Sequence, residues 1–173
     1  MRRRRERDEG QQEFESEVLE IRRVSKTTKG GKNMSFRVTV VVGDRQGRVG
    51  IGKGNTREIP PAIQQAIRDA KRNLVRVPIL NGTIPHEVIG EFKAAKVLLK
   101  PAHPGTGIIA GGTVGMICRL AGIRDILTKA MGSTNPLTLA KATLEGLKQL
   151  RTAEEVARLR DKSVKEVLHV EAE

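Results

Sequence analysis

The chain has 173 residues, with 32 Lys plus Arg against 20 Asp plus Glu and a net charge of +12, and an isoelectric point near 10.4. An excess of that size selects a polyanionic partner, nucleic acid ahead of an acidic membrane surface, while three Phe with no Tyr or Trp argue against base stacking on aromatic platforms. One cysteine, Cys118, excludes an internal disulfide and a structural zinc site; no apolar run approaches the roughly 18 residues of a membrane span, and no apolar segment follows the Arg-rich start, so a soluble intracellular protein without a secretory signal is expected.

The charge is uneven. Residues 1–12 are polar, Arg-rich and aperiodic, and read as a flexible arm. Residues 11–21 carry four Glu and no basic residue. Residues 22–57 then carry ten Lys and Arg against Asp44 alone, a block too one-signed for an ordinary solvated surface and suited to phosphates.

Residues 17–26 alternate partly and predict a strand, and Thr27–Asn33, with Gly30-Gly31 between lysines, is a turn signal. Residues 34–43 alternate cleanly, with Met34, Phe36, Val38, Val40 and Val42 on one face. Asp44–Gly47 reads as a hairpin turn. Residues 48–54 read as a third strand whose Gly50, Gly52 and Gly54 leave one side bare. Pro60-Pro61 opens a helix carried by Ile63, Ala66, Ile67, Ala70, Leu74 and Val77 and ended by Pro78.

A second unit begins near 79. Residues 79–89 predict a strand interrupted by Asn81-Gly82 and Pro85, and residues 95–100 predict another. A Pro- and Gly-rich loop, 101–112, leads to a short apolar helix near 113–121, and 123–128 is a strand or a helical turn. Asn135-Pro136 starts a helix with a buried stripe of Leu137, Ala140, Leu144 and Leu147, and 153–160 adds a short amphipathic helix. The expected class is α+β: two small domains, β-β-β-α over 13–78 and β-β-α-β-α over 79–160, with a tail at 161–173.

Several motifs approach catalytic or nucleotide-binding signatures. Gly47–Lys53 nearly spells a phosphate-binding P-loop, but Gly54 stands where a magnesium-holding Ser or Thr belongs. Gly105–Gly111 has dinucleotide-like glycines with one residue too many; a phosphate at the helix start or close backbone packing are the open readings. Gly47–Gly50 has the spacing of a KH loop, which should join helices rather than strands. His86, His103 and His169 lack metal-ligand spacing, Cys118 has no visible base, and Glu87 and Glu91 fall on a strand or turn. No catalytic constellation and no cofactor or metal site is expected.

What remains is a basic hairpin. The expected RNA-binding residues are Arg22, Arg23, Lys26, Lys29, Gly30, Gly31, Lys32, Arg37, Arg45, Arg48, Lys53 and Arg57. Basic tips with glycine let the backbone approach phosphates and suit recognition by shape.

Ile21–Lys26, Lys29–Lys32, Val40–Asp44, Gly47–Gly50, Thr83–Glu87, Leu99–Ala102, Gly105–Gly112 and Gly132–Pro136 occur in an order that resembles the bacterial small-subunit ribosomal protein five family, over about residues 14–160. The resemblance implies a first domain similar to a double-stranded-RNA-binding fold without its first helix, and a second of the family's own C-terminal type. It implies binding to small-subunit ribosomal RNA, contacts with proteins four and eight of the same subunit, and roles in decoding accuracy and in fixing the subunit head on the body, with no membrane or small-molecule partner. It places Val24–Lys32 in RNA near the head–body junction, close to the spectinomycin region. It places Gly105, Thr106, Gly107, Gly111 and Gly112 toward protein four, which favours packing over phosphate for those glycines. Where the family usually carries Arg, this chain has Gly115, and Arg119, one turn later, is the expected substitute. The alternative is a free double-stranded-RNA-binding regulator that needs no ribosome.

Overall fold

The computed structural model describes residues 14–167; the N-terminal arm, all of the tail beyond 167 and His169 lie outside them. Four strands, β1 (Glu15–Thr28), β2 (Gly31–Gly43), β3 (Arg48–Thr56) and β4 (Leu74–Arg76), form an antiparallel sheet in that order, with helix α1 (Ile59–Arg72) between the last two. Strands β5 (Val88–Phe92), β6 (Ala95–Pro101), β7 (Ile108–Ile109) and β8 (Ile126–Gly132) form a second sheet in the order β5-β6-β8-β7. Helix α2 (Gly112–Ala121) links β7 to its parallel partner β8, and α3 (Pro136–Gln149), α4 (Ala153–Leu159) and α5 (Val164–Val167) follow.

The fold is the expected two-sheet α+β arrangement, with four departures. The first helix stops at Arg72 rather than Val77: Asn73 leaves helical geometry, and Leu74–Arg76 pairs with β3 instead, satisfying an edge that would otherwise hold unpaired backbone. Pro78 also disfavours helix in the residue before it. The strand expected over 79–89 begins only at Val88, because Asn81 (φ +50°) and Gly82 (φ +85°) close a tight turn between Leu80 and Thr83. Two residues of the 101–112 loop pair as β7, and part of the expected tail is helical.

The bare side of β3 is the seat of α1. A Cβ added at Gly54, Gly52 or Gly50 would lie 1.9, 2.0 or 2.5 Å from the carbonyl oxygens of Ala62, Ala66 and Ala70. Two strand residues advance about 6.6 Å and four helix residues about 6 Å, so glycines spaced by two keep step with alanines spaced by four. Val38, Val40 and Val42 complete this small core. Ala62, Ala66 and Ala70 are therefore the buried stripe, with Ile63 and Ile67 at its margin.

The opposite face of the first sheet is covered as well. Val41, Val49 and Ile51 share a single core with Ile117 and Leu120 of α2, Leu144 and Leu147 of α3, and Val97 and Leu99 of the second sheet. Helices α2 and α3 thus serve both sheets. On the second sheet the close approach recurs, a Cβ at Gly90 falling 2.1 Å from the Ala142 oxygen. The Asn135 side chain caps α3 as expected, accepting from the amides of Leu137 and Thr138.

The β2–β3 turn closes the joint. The last four carbonyls of a helix lack intrahelical donors. In α2, Cys118 and Arg119 oxygens are met by the amides of Ile123 and Gly122, and Leu120 and Ala121 oxygens by those of Arg45 and Gly47, at 2.8–3.0 Å. Asp44 holds the turn: Oδ1 accepts from the amides of Gln46 and Arg48, and Oδ2 from the Arg48 guanidinium at 2.6 Å. Burial alone would raise the Asp44 carboxyl, but these donors and the Arg48 charge outweigh it and hold the group below the usual carboxylate value.

Two expectations follow for stability. Gly52→Ala should lower it by about 2–3 kcal/mol through overpacking against α1, whereas Gly30→Ala, with nothing within 4 Å of its Cβ, should stay within about 0.5 kcal/mol; thermal or urea unfolding of both variants checks this. Because the folded Asp44 is the stronger acid, its contribution is present above the unfolded carboxylate value of 3.8 and is lost as pH falls through the folded value. Urea midpoints measured from about pH 6 to pH 3 should therefore decline less steeply in Asp44→Asn than in the parent, which starts higher.

Candidate nucleic-acid interface

Strands β1 and β2 stay paired out to Thr28↔Gly31, but β3 ends at Thr56↔Phe36. Val24–Thr28 and Gly31–Ser35 therefore run on as a two-stranded ribbon, about 16 Å long at roughly 3.3 Å per residue. Lys29-Gly30 is the two-residue connection, and Gly31 at φ +141° supplies the backbone conformation it needs. Lys26, Lys29, Gly30, Gly31 and Lys32 are all exposed. Lys26 lies opposite Asn33 and Lys32 opposite Thr27, so the two lysines project from opposite faces with Lys29 at the tip. Among the described residues none of the three lysines is in an ion pair.

At the root of the ribbon Arg22 stands directly across from Arg37, a like-charge pair that is unfavourable by itself. Arg22 is ion-paired with Glu20, and Arg23 donates to Met34 Sδ at 2.8 Å. Arg57 is exposed in the link to α1.

The structure does not gather all the expected RNA-binding residues into one surface. The β1–β2 and β2–β3 turns lie at opposite ends of the 13-residue β2, roughly 43 Å apart along the strand. Arg45 is ion-paired with Glu15 at 2.6 Å, and Arg48 with Asp44 while lying 5.4 Å from the centre of the Phe14 ring. Both are at the α2 joint. Lys53 and Arg37 belong to a third place, on the sheet face toward α3. Burial, then the charges of Lys141, Arg37 and Lys93, push the Lys53 ammonium below its usual value against the opposing effect of Asp69. Lys93 and Lys141 are additions that charge counting along the first 57 residues does not reach.

In the glycine-rich loop, Gly105 (φ +90°) and Gly107 (φ +77°) hold left-handed conformations that side chains rarely adopt. No atom lies within 4 Å of a Cβ placed at Gly105, Gly107, Gly111 or Gly112, so packing within this chain is not what these glycines serve. Thr106 donates to the His103 carbonyl at 2.7 Å and shapes the bend. Gly115 is buried, and Arg119, one turn on, points to Glu17 of β1 at 3.8 Å.

The chemistry-like motifs resolve structurally. Gly50–Gly54 is the seat of α1 rather than a phosphate loop. Burial pushes the Cys118 thiol up to about 12. His86 Nε2 accepts from the Arg151 amide and its Nδ1 faces the Glu87 carbonyl, which requires the Nδ1–H tautomer. Glu87 and Glu91 are ion-paired with Lys100 and Lys96. Among the described residues no group of three His, Cys, Asp or Glu could hold a metal ion, and no helix is long and apolar enough to cross a membrane.

Two family models match this chain: Ribosomal protein S5, N-terminal domain, over residues 14–78, and Ribosomal protein S5, C-terminal domain, over residues 90–160. A small ribosomal subunit protein uS5 of Thermotoga neapolitana is 63% identical over 156 residues, covering 90% of this chain and 88% of that protein. Its counterpart in Thermotoga maritima is 64% identical over the same coverage, and that of Thermosipho africanus 58% identical over 91% of this chain and 90% of its own length. With family models matched over both units and relatives 63% and 64% identical across most of its length, the chain belongs to the ribosomal protein S5 family, a family of non-enzymatic components of the small ribosomal subunit.

Proposed function

We propose that this protein binds small-subunit ribosomal RNA through the β1–β2 ribbon and, at the ribosome in the cytoplasm, contributes to decoding accuracy and to fixing the subunit head on the body. The observation that carries this reading is the ribbon itself. A two-stranded hairpin has little stability of its own, and this one projects past β3 with no cover and three lysines lacking acidic partners among the described residues. Such a ribbon gains its rigidity from a polyanion, which lysines on both faces and at the tip can enter and neutralise.

The proposed organisation assigns 13–78 to RNA binding and 79–160 to packing on neighbouring proteins and RNA. The open loop carrying Gly105, Thr106, Gly107, Gly111 and Gly112 faces protein four in this reading, and protein eight is the other protein neighbour. Arg45 and Arg48 support the fold of the RNA-binding unit more than they contact RNA, because their charges are already answered by Glu15 and Asp44.

Lys26→Glu with Lys29→Glu should weaken binding to deproteinised small-subunit ribosomal RNA. The slope of log affinity against log salt should fall by about 1.4–1.8, the release expected for two phosphate contacts, while the unfolding midpoint stays put. An unchanged slope in a filter-binding salt series overturns the ribbon assignment. In a sucrose gradient of lysate washed with high salt, the parent should travel with the small subunit; migration near the top would make it a free RNA-binding regulator instead.

A further inference from the structure

Four cations from four different elements converge at the seam between the sheets: Arg37 on β2, Lys53 on β3, Lys93 in the β5–β6 turn and Lys141 on α3. Lys53 and Lys141 line a hollow of about 370 Å³ together with Phe92 and Lys148. The Phe92 ring organises two of the cations, with Lys141 Nζ 4.8 Å and Lys93 Nζ 5.9 Å from its centre. Lys93 is held at φ +55°, a left-handed conformation that costs a non-glycine residue energy.

The acids nearby answer these charges only in part, Asp69 acting on Lys53 without forming an ion pair with it. Asp69 accepts from the Lys53 amide through Oδ2 and from the Asn73 side chain through Oδ1, and Glu145 is ion-paired with Lys148. Among the described residues none of the four cations forms an ion pair. Four mutually repelling cations gathered from both sheets outnumber the two carboxylates beside them, Asp69 and Glu145, and the excess positive charge favours an external anion.

We infer that the seam hollow is a second phosphate-backbone site, in which Lys53, Lys93, Lys141 and Arg37 grip a strand of RNA separate from the one met by the ribbon. This rests on the RNA-binding reading and extends it to the second sheet. Three of the four groups are lysines, compact point charges that suit phosphates of any sequence. The one aromatic group, Phe92, is covered by ammonium groups and offers no apolar anchor of the kind a protein partner would bury. Because the cations come from both sheets, one strand would bind both units at once.

The test uses the full-length protein and deproteinised small-subunit ribosomal RNA, with affinity followed from about 0.05 to 0.3 M monovalent salt. Lys93→Gln with Lys141→Gln should lower the slope of log affinity against log salt by about 1.4–1.8 and weaken binding about tenfold near 0.15 M. The unfolding midpoint should hold or rise as repulsion is relieved, and Lys93→Arg with Lys141→Arg should keep the parental slope. The ribbon variant Lys26→Glu with Lys29→Glu runs beside it. A ribbon variant that loses slope while the seam variant matches the parent overturns the seam site and leaves the ribbon reading intact. Parental behaviour in both variants overturns the RNA reading itself. Poly-glutamate competing with RNA in the parent but not in the seam variant, with RNA slopes equal in the two, would make the hollow an acidic-protein site and overturn the proposal.

Discussion

Two backbone hydrogen bonds carry more of this architecture than their number suggests. The amides of Arg45 and Gly47, in the turn between β2 and β3, complete the C-terminus of α2 by meeting the Leu120 and Ala121 oxygens. The approach is as close as backbone allows: a Cβ at Gly43 would sit 2.2 Å from the Leu120 oxygen, and one at Gly122 2.1 Å from the Arg45 oxygen. A buried carbonyl without a donor is costly, so α2 cannot end well unless the first sheet is docked. The first sheet, in turn, cannot cover Val41, Val49 and Ile51 unless α2 and α3 are in place. The joint therefore makes folding of either unit depend on the other.

That joint also sets the direction of the ribbon. Strand β2 is continuous from Gly31 to Gly43. One of its ends is fixed at α2, so the other must point away from the body of the protein. The strand is clamped between α1 on one face and α2 with α3 on the other, and only its first five residues leave the sheet with β1 as sole partner. A rigid base and a projecting end are what a phosphate-reaching arm needs, since side chains held by a scaffold lose less entropy on binding.

The smaller core, between the first sheet and α1, buries only valines and alanines. Glycine on β3 and β5 against alanine on α1 and α3 brings backbone to backbone, and dispersion between closely packed main chains takes the place that Tyr and Trp fill in other small domains. The price is intolerance: each such glycine accepts nothing larger. The charged residues divide just as sharply. Arg45, Arg48 and Arg119 are tied to Glu15, Asp44 and Glu17 and belong to the scaffold, whereas the ribbon lysines and the seam cluster face outward without carboxylate partners among the described residues.

By itself the sequence determined the local elements and the class of partner. Alternation over 34–43 marked β2, Asn135-Pro136 marked the start of α3, and a ten-to-one excess of basic residues over 22–57 marked an anion-binding protein, because periodicity, capping and charge are local properties. The ordered motifs identified the family for the same reason. Only the tertiary structure decided which of those charges act together. Arg45 and Lys29 each carry one positive charge in a glycine-containing turn, yet one end of β2 is buried in a helix terminus and the other is free of it. Lys53 finds Lys93 and Lys141, 40 and 88 positions away, because α3 packs across the seam. Charge is written residue by residue, but its compensation depends on distance through space, and folding sets that distance.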